Sequence, residues 1–225
     1  MITARRPRAS TKRAAMPEPT QLLAFALICL GMTLTPGPNM MYLVSRSLSQ
    51  GYRAGLVSLA GVALGLVFYV LCAVLGITAL LMAVPLAYEA LCVAGAIYLM
   101  YMAWQALRPG GQSPFQVRAL APSPPRRLFA MGLFTALLNP KIAVLYLSLL
   151  PQFIDPQRGS VLTQSLALGF TQVGISICVN ALFTVMAGAI AVFLARRPMW
   201  MVAQRWLMGS VLAGLAVRMA LDARR

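Results

Sequence analysis

The chain contains no histidine and very few acidic residues. Of its 225 residues, four are Asp or Glu, and 10% are charged, whereas soluble domains average about 25%. The absence of histidine removes the usual general base, histidine-ligated zinc and Ser-His dyads. No pair of acids lies within an apolar stretch, so an aspartyl-protease arrangement is also missing. We therefore expect a protein that is not an enzyme and that needs no cofactor.

Cysteine is scarce as well, and its spacing fits neither a metal site nor a redox pair. Each cysteine falls in an apolar stretch, and none belongs to a CxxC pair: Cys29, Cys72, Cys92 and Cys178. In such surroundings a cysteine usually serves as a small packing residue. The pattern counts against thiol-based electron transport and against soft-metal binding.

What the chain has in abundance is apolar sequence. Hydrophobic residues make up 60% of it, and the mean hydropathy is +0.79. A stretch of about 20 apolar residues is enough to span a bilayer. We predict an all-α integral membrane protein with six transmembrane helices, at residues 20–45, 55–82, 86–107, 128–153, 161–194 and 199–221. The last span contains Arg205 and Arg218, so a five-span protein whose final helix lies on the membrane surface is the alternative.

The net charge of +15 comes from nineteen Lys and Arg set against four acids. In a membrane protein, basic residues concentrate in cytoplasmic connections, and no basic groove with interleaved aromatics appears, so we expect the lipid bilayer as a partner and no nucleic acid.

The orientation of the termini across the membrane stays open. Connections at 46–54, 108–127 and 195–198 hold eight basic residues on one side, and the first fifteen residues place five on the other. A start at Met16 would remove those five.

A linker rich in Pro, Gly, Ser and Arg divides the chain into two groups of three spans. It covers 109–127, between a first repeat at 20–108 and a second at 128–225, and a basic tail at 1–19 precedes them. Both groups carry proline inside their first span, in TPGPN and in NPK. Because three spans is an odd number, the second group starts on the opposite side of the membrane. We predict inverted repeats whose broken helices, in spans one and four, meet at a substrate site.

The break in the first span consists of Thr35, Pro36, Gly37, Pro38 and Asn39. One interpretation is a simple kink in a packed bundle, since proline removes a backbone donor. The other is a half-helix boundary, whose free N–H groups and positive dipole end favour a carboxylate. In the second case Thr35 and Asn39 bind substrate, unless Asn39 caps the new helix.

The break in the fourth span consists of Asn139, Pro140 and Lys141. Thirteen residues separate Lys141 from Arg127 and from Asp155, the nearest charges, a helical distance of about 20 Å. A charge near the bilayer centre costs at least about 2.5 kcal/mol. Lys141 is therefore either a structural lysine, ion-paired or bonded to carbonyls, or a partner for a substrate carboxylate. A further hypothesis is that a proton and the substrate compete for it, which couples export to proton influx.

Two acids lie near the predicted spans, and both are candidates for coupling or gating beside the lysine. Glu89 is expected in the first turn of the third span, where an acid suits the helix dipole. Asp155 lies at the expected membrane edge, as a gate residue or as a solvated loop acid. Gly61 and Gly65 predict close helix packing, and Asn180 either lines the path or bonds a neighbouring helix.

Three segments carry a specific combination of motifs. They are TPGPNMMYLVSRSLSQGYRAGLVSLAGVALG at 35–65, GAIYLMYMAWQALR at 95–108 and FTALLNPKIAVLYLSLLPQFIDP at 134–156. Together they resemble the lysine exporter superfamily, in particular its homoserine/threonine-resistance branch. The resemblance covers most of residues 20–156, and the last third matches mainly in hydropathy. The basic N-terminal extension and Ala103, where the family pattern often has glycine, depart from it.

The resemblance implies a multi-pass transporter of the bacterial inner membrane that exports amino acids or related small metabolites. The partners it implies are the amino-acid substrate and protons, and a homo-oligomer stays open. From the two helix breaks we expect alternating access as the transport mechanism. The alternative within transport is an exporter of a metal ion or another small solute. The alternative of another class is a membrane-embedded enzyme or assembly factor. The sequence does not indicate which solute is carried.

Overall fold

The computed structural model describes residues 16–83, 85–108, 121–196 and 198–222. Within these ranges the chain is helical and contains no strand, which confirms the all-α prediction for this part of the protein. Two regions discussed above, residues 1–15 of the basic tail and residues 109–120 of the linker, lie outside the described residues.

Proline marks the start of most helices. Six of the eight α-helices in the described ranges begin at a proline, because the first helical residue has no N–H partner to lose and needs the φ angle that proline fixes. The helices are α1 (Pro19–Leu34), α2 (Pro38–Gln50), α3 (Tyr52–Ala83), α4 (Pro85–Leu107), α5 (Pro125–Leu137), α6 (Pro140–Val144), α7 (Val161–Arg196) and α8 (Pro198–Asp222). A π-helical turn, Leu145–Leu149, and a 3-10 turn, Leu150–Phe153, continue α6, and a second 3-10 turn, Pro156–Arg158, precedes α7.

Both predicted helix breaks are present. The axes of α1 and α2 differ by 50°, and those of α5 and the helical stretch 140–153 differ by 46°. Among the described residues, two helices are long and apolar enough to cross a membrane, in the parts Tyr52–Gly76 and Val161–Ile190, and the count rises to four if each bent pair is one span. The full set of six spans and the inverted repeat stay predictions.

The connection predicted at 46–54 is wrong. The second helix continues to Gln50, the third begins at Tyr52, and only Gly51, with φ 87°, lies between them, a left-handed conformation that favours glycine. Arg46 therefore belongs to α2. Its side chain is also buried. Its Nη1 donates to the carbonyl of Ala121 at 3.0 Å. The sequence suggested a loop because the polar residues that end this helix also suit a surface turn.

Glycines let α3 and α5 approach closely. A Cβ at Gly61 would collide with the carbonyl oxygen of Phe129, and one at Gly65 would lie 2.7 Å from the Cβ of Ala136. From the other side, a Cβ at Gly132 would collide with the backbone carbonyl of Ser58. These contacts confirm the close packing predicted from Gly61 and Gly65. Elsewhere α3 packs on α2 and α7, α4 packs on α8, and α1 packs on α7.

The position predicted for Glu89 is also wrong. The fourth helix begins at Pro85, and its first turn contains no acid. Glu89 is the fifth helical residue and is exposed. The helix dipole acts mainly on the first turn, so the proposed dipole interaction does not explain this acid.

Candidate functional site

The two helix breaks meet at Lys141. Its Nζ donates hydrogen bonds to the carbonyl oxygen of Met32 at 2.9 Å and to that of Thr35 at 2.8 Å. These carbonyls lie at the C-terminal end of α1, where the dipole is negative and the last acceptors lack their regular helical donors. The carbonyl of Met32 also accepts from the backbone N–H of Thr35 at 3.2 Å. The Lys141 side chain is only 6% exposed. The carbonyl-bonded alternative for this lysine is therefore what the structure shows.

Asn139 fixes the backbone that carries the lysine. Its Oδ1 accepts a hydrogen bond from the backbone N–H of Lys141 at 3.0 Å, so it is the N-cap of α6. Pro140 follows as the first helical residue. This arrangement is a standard helix start, with an N-cap asparagine and proline next to it.

Gly37 leaves the space that the ammonium group needs. A Cβ at this position would lie 2.8 Å from Nζ of Lys141. Gly37 is also the N-cap of α2 and is followed by Pro38, and no side chain caps this helix. The capping alternative for Asn39 is therefore wrong. The asparagine is the second helical residue, and its Oδ1 has no hydrogen-bond partner.

The other half of the second break is satisfied without a charge. The hydroxyl of Tyr69, on α3, donates to the carbonyl of Leu137 at 2.7 Å, at the C-terminal end of α5. Thr35 contributes at the first break, where its hydroxyl donates to the carbonyl of Gly31 at 2.9 Å. The hydroxyl of Thr35 adds to the helical bond that its own N–H makes to Gly31. Donors for the helix-end carbonyls come from Lys141 at the first break and Tyr69 at the second, as a buried irregular backbone requires.

A small cavity opens between the two breaks and α7. Its volume is about 20 Å³, which is room for about one water molecule. Its polar lining is formed by Thr33, Asn39, Asn139, Lys141, Gln172, Ser176 and Asn180. Two buried atoms of this lining have no hydrogen-bond partner, the acceptor Oδ1 of Asn39 and the donor Nδ2 of Asn139. Five other buried side-chain atoms in the described residues also have no partner, but none of their residues lines this cavity. The cavity therefore brings together a free amide acceptor and a free amide donor.

Residues on one face of α7 complete the site. Nε2 of Gln172 donates to the hydroxyl of Ser176 at 2.7 Å, and Nδ2 of Asn180 donates to the carbonyl of Ser176 at 2.8 Å. The hydroxyl of Tyr146 also donates to Oε1 of Gln172. Asn180 thus lines the cavity and bonds its own helix. Except for Asn180, these residues were not predicted from the sequence, although amides and a hydroxyl at i, i+4 and i+8 in an uncharged span were a usable signal.

The π-helical turn that follows α6 belongs to the same region. Leu145, its first residue, lines the cavity, and the next residue, Tyr146, is fully buried. The hydroxyl-bearing ring of Tyr146 stacks on Tyr69 with ring centroids 5.8 Å apart. Single π-helical turns often occur at functional sites, and Pro151, which has no N–H, follows in the 3-10 turn.

Glu89 and Asp155 do not line this cavity. Oδ1 of Asp155 accepts from the backbone N–H of Gln157 at 2.9 Å, and its Oδ2 lies 3.3 Å from Nε of Arg158. Arg158 also pairs with Glu18 at 3.0 Å. This geometry suits a solvated loop acid, and a gating role for either acid stays a prediction.

The sequence profile of the LysE type translocator matches residues 30–223. A homoserine/homoserine lactone efflux protein of Salmonella typhimurium is 33% identical over 172 residues, which cover 76% of this chain and 82% of the relative. An uncharacterized membrane protein of Vibrio cholerae is 30% identical over 199 residues, 88% and 95% of the two chains. A leucine efflux protein of Salmonella choleraesuis is 25% identical over 190 residues, 84% and 89%.

No solved structure matches the chain. The family match nevertheless covers most of the sequence, including both helix breaks and the cavity between them. It confirms the resemblance carried by the three motif segments, and the apolar helices agree with a protein of the membrane. The chain belongs to the LysE-type translocator family, whose members are transporters and not enzymes.

Proposed function

We propose that the protein is a secondary transporter that exports amino acids or related small metabolites across the bacterial inner membrane. The family and the efflux functions in the names of its relatives support the direction and the cargo class. The solutes in those names, homoserine, its lactone and leucine, share a primary amino group, and the lactone has no free carboxylate. The observation that carries the proposal is a buried ammonium group at the junction of two broken helices, beside an unpaired amide donor and acceptor.

The substrate site in this proposal is the cavity between the breaks. Lys141 and Nδ2 of Asn139 are suited to a carboxylate, and α2 begins beside them with the positive end of its dipole. A volume of about 20 Å³ is smaller than an amino acid. Binding therefore requires the helices to separate, and the bends at 35–37 and 138–139 are the natural hinges. Alternating access follows if each separation opens the cavity to one side of the membrane.

Proton coupling is assigned to Lys141 in this proposal. Of the three coupling candidates, Lys141 lines the cavity, whereas Glu89 and Asp155 lie outside it. Competition between a proton and the substrate for the lysine would couple efflux to proton influx. Two further elements, a homo-oligomer and a gate at Asp155, have no supporting contact among the described residues.

The test is efflux from cells loaded with a panel of amino acids, with and without the protein. We expect faster release and growth resistance for at least one amino acid, and no change for any of them would reject the proposal. Lys141→Met should abolish efflux or its dependence on external pH. Arg53→Met, which removes an exposed cation away from the cavity, is the matched control. Unchanged efflux with an unchanged pH profile in Lys141→Met would reject the coupling role.

The same assay tests the metal alternative with a panel of metal ions. In the described part of the chain, no three His, Cys, Asp or Glu side chains come together to hold a metal ion. The cavity instead presents amides, hydroxyls and an ammonium group, which is a poor ligand set for a divalent cation. We therefore place amino acids ahead of metals as the cargo.

A further inference from the structure

We infer that the backbone carbonyls at the end of α1 are the subsite for the substrate's amino group, and that Lys141 occupies this subsite as a tethered substitute. The inference rests on the proposed function and adds a binding mode to it. On binding, the substrate's ammonium group takes the place of Nζ on the carbonyls of Met32 and Thr35. The released lysine then turns to the substrate's carboxylate or carbonyl oxygen.

The partners of Lys141 indicate a subsite for a cation. Its two bonds are to neutral carbonyls, at 2.9 and 2.8 Å, and among the described residues the ion pairs involve Arg158 and not Lys141. Such a pair of dipoles, at the negative end of a helix, recognises an N–H donor with a positive charge. A primary α-ammonium group carries the same charge and the same three N–H donors as a lysine side chain.

The two helix breaks are satisfied by different chemical groups. The end of α5 is satisfied by the neutral hydroxyl of Tyr69, so a break in this bundle needs no charge to be stable. Placing an ammonium group at the end of α1 carries a desolvation cost that a hydroxyl would avoid. The first break binds a cation, whereas the second binds a hydroxyl. This difference indicates that the carbonyls of Met32 and Thr35 have a role in recognising cations.

The unpaired amide atoms of the cavity supply further partners for an amino acid. The acceptor Oδ1 of Asn39 offers a third oxygen to an ammonium group, and the donor Nδ2 of Asn139 offers an N–H to a carboxylate or carbonyl oxygen. With Lys141 added on the carboxylate side, both ends of an amino acid find partners. The carbonyls of Met32 and Thr35 keep a cationic partner before and after the exchange, so neither of them loses its hydrogen bond to a cation.

The mode predicts which solutes the site accepts. A free primary amino group is required, because it must replace the lysine on the carbonyls. The requirement for a free carboxylate is less stringent, since an ester or lactone oxygen still accepts a hydrogen bond from the released lysine. N-acetylation removes the charge and two N–H donors, so N-acetyl derivatives should be excluded.

The direct test uses Lys141→Ala in the purified full chain. Ethylammonium, which fits the position of the missing Nζ, should raise the unfolding midpoint of this variant by about 2–4 °C. Tetramethylammonium, with the same charge but no N–H, should give no shift. The wild type should respond little, because its own lysine competes at high effective concentration. Arg53→Ala, which removes an exposed cation, is the matched control and should show no rescue.

Equal shifts with both cations, or none with ethylammonium, would overturn the inference. A second measurement uses the wild type and so does not depend on folding of the variant. Unlabelled L-homoserine and its methyl ester should compete with export of labelled L-homoserine, and N-acetyl-L-homoserine should compete at least ten-fold less well. If export occurs and the N-acetyl compound competes equally, the amino-group subsite is wrong although the exporter proposal stands. If none of a full amino-acid panel is exported, the exporter proposal fails, and with it this inference.

Discussion

Lys141 is held inside the bundle by the backbone carbonyls of Met32 and Thr35, at the end of the broken first helix. Three neighbouring residues make this possible, each for a different physical reason. Gly37 has no Cβ to displace the ammonium group, Asn139 caps the turn that carries the lysine, and Pro140 starts that turn. A single residue type would not have identified the site, because each of these occurs at ordinary helix ends as well.

At the residue scale, Asn139 allows stability and recognition to be separated. Asn139→Ala removes the N-cap and should lower the free energy of unfolding by about 0.5–2 kcal/mol. Asn139→Asp keeps an oxygen for the backbone N–H of Lys141 but loses the Nδ2 donor and places a carboxylate in the cavity. We expect Asn139→Asp to retain most of the stability and to lose export, as measured by thermal unfolding and efflux. Full export by Asn139→Asp would contradict a recognition role for this amide.

At the element scale, the broken helices need neighbours that hold them in place. The α3 helix does this by packing closely on α5, where Gly61 of α3 and Gly132 of α5 each face the other backbone. Its Tyr69 also binds the end of α5. Close packing of this kind replaces the hydrophobic driving force that is weak between helices in lipid. The small residues of α3 were readable from the sequence, but the helix they face was not.

Substitution of these glycines should therefore be costly at some positions and harmless at others. Gly61→Ala and Gly132→Ala place a methyl group against a backbone carbonyl, which cannot move as a side-chain tip can, and overpacking of this kind costs about 1–3 kcal/mol. Gly76→Ala, in the same helix as Gly61, meets nothing within 4 Å and is the control. Thermal unfolding in detergent measures the difference. Equal midpoints for the three variants would contradict the packing argument.

At the scale of the whole molecule, the contacts connect segments far apart in the sequence. Glu18, before α1, pairs with Arg158, before α7, so these two ends share one side of the bundle. Gln50, at the end of α2, exchanges two hydrogen bonds with the backbone of Ser123, just before α5. These contacts agree with each bent helix pair crossing the bundle once, as the six-span prediction requires.

The crossing pattern can be measured with single cysteines in a chain whose native cysteines are replaced. If there are six spans, Gln157→Cys and Leu221→Cys should react with a membrane-impermeant maleimide from the same side, and Arg53→Cys from the opposite side. All three positions are exposed. Labelling of Leu221→Cys from the side of Arg53→Cys would instead support the five-span alternative, in which α8 lies on the surface.

The physical strength of each signal explains which predictions succeeded. Proline withholds an N–H wherever it stands, so both helix breaks could be located from the sequence. The capping role given to Asn39 and the loop given to Arg46 were wrong, because asparagine and arginine suit several environments and the fold chooses among them. The polar face of α7 was missed because amides and hydroxyls in an apolar helix carry a weak signal until their neighbours are known.

The sequence by itself determined an all-helical membrane protein, the positions of two helix breaks, an isolated lysine in the second break, and a resemblance to a transporter family. These features depend on composition and on local backbone chemistry, which a linear pattern records. Only the tertiary structure decided that the lysine of one break binds the carbonyls of the other, 106 and 109 residues away. It also decided that Gly37 and two unpaired amide atoms, Oδ1 of Asn39 and Nδ2 of Asn139, lie beside that lysine or line the same cavity. Such contacts depend on how separate helices pack, and no local pattern specifies that.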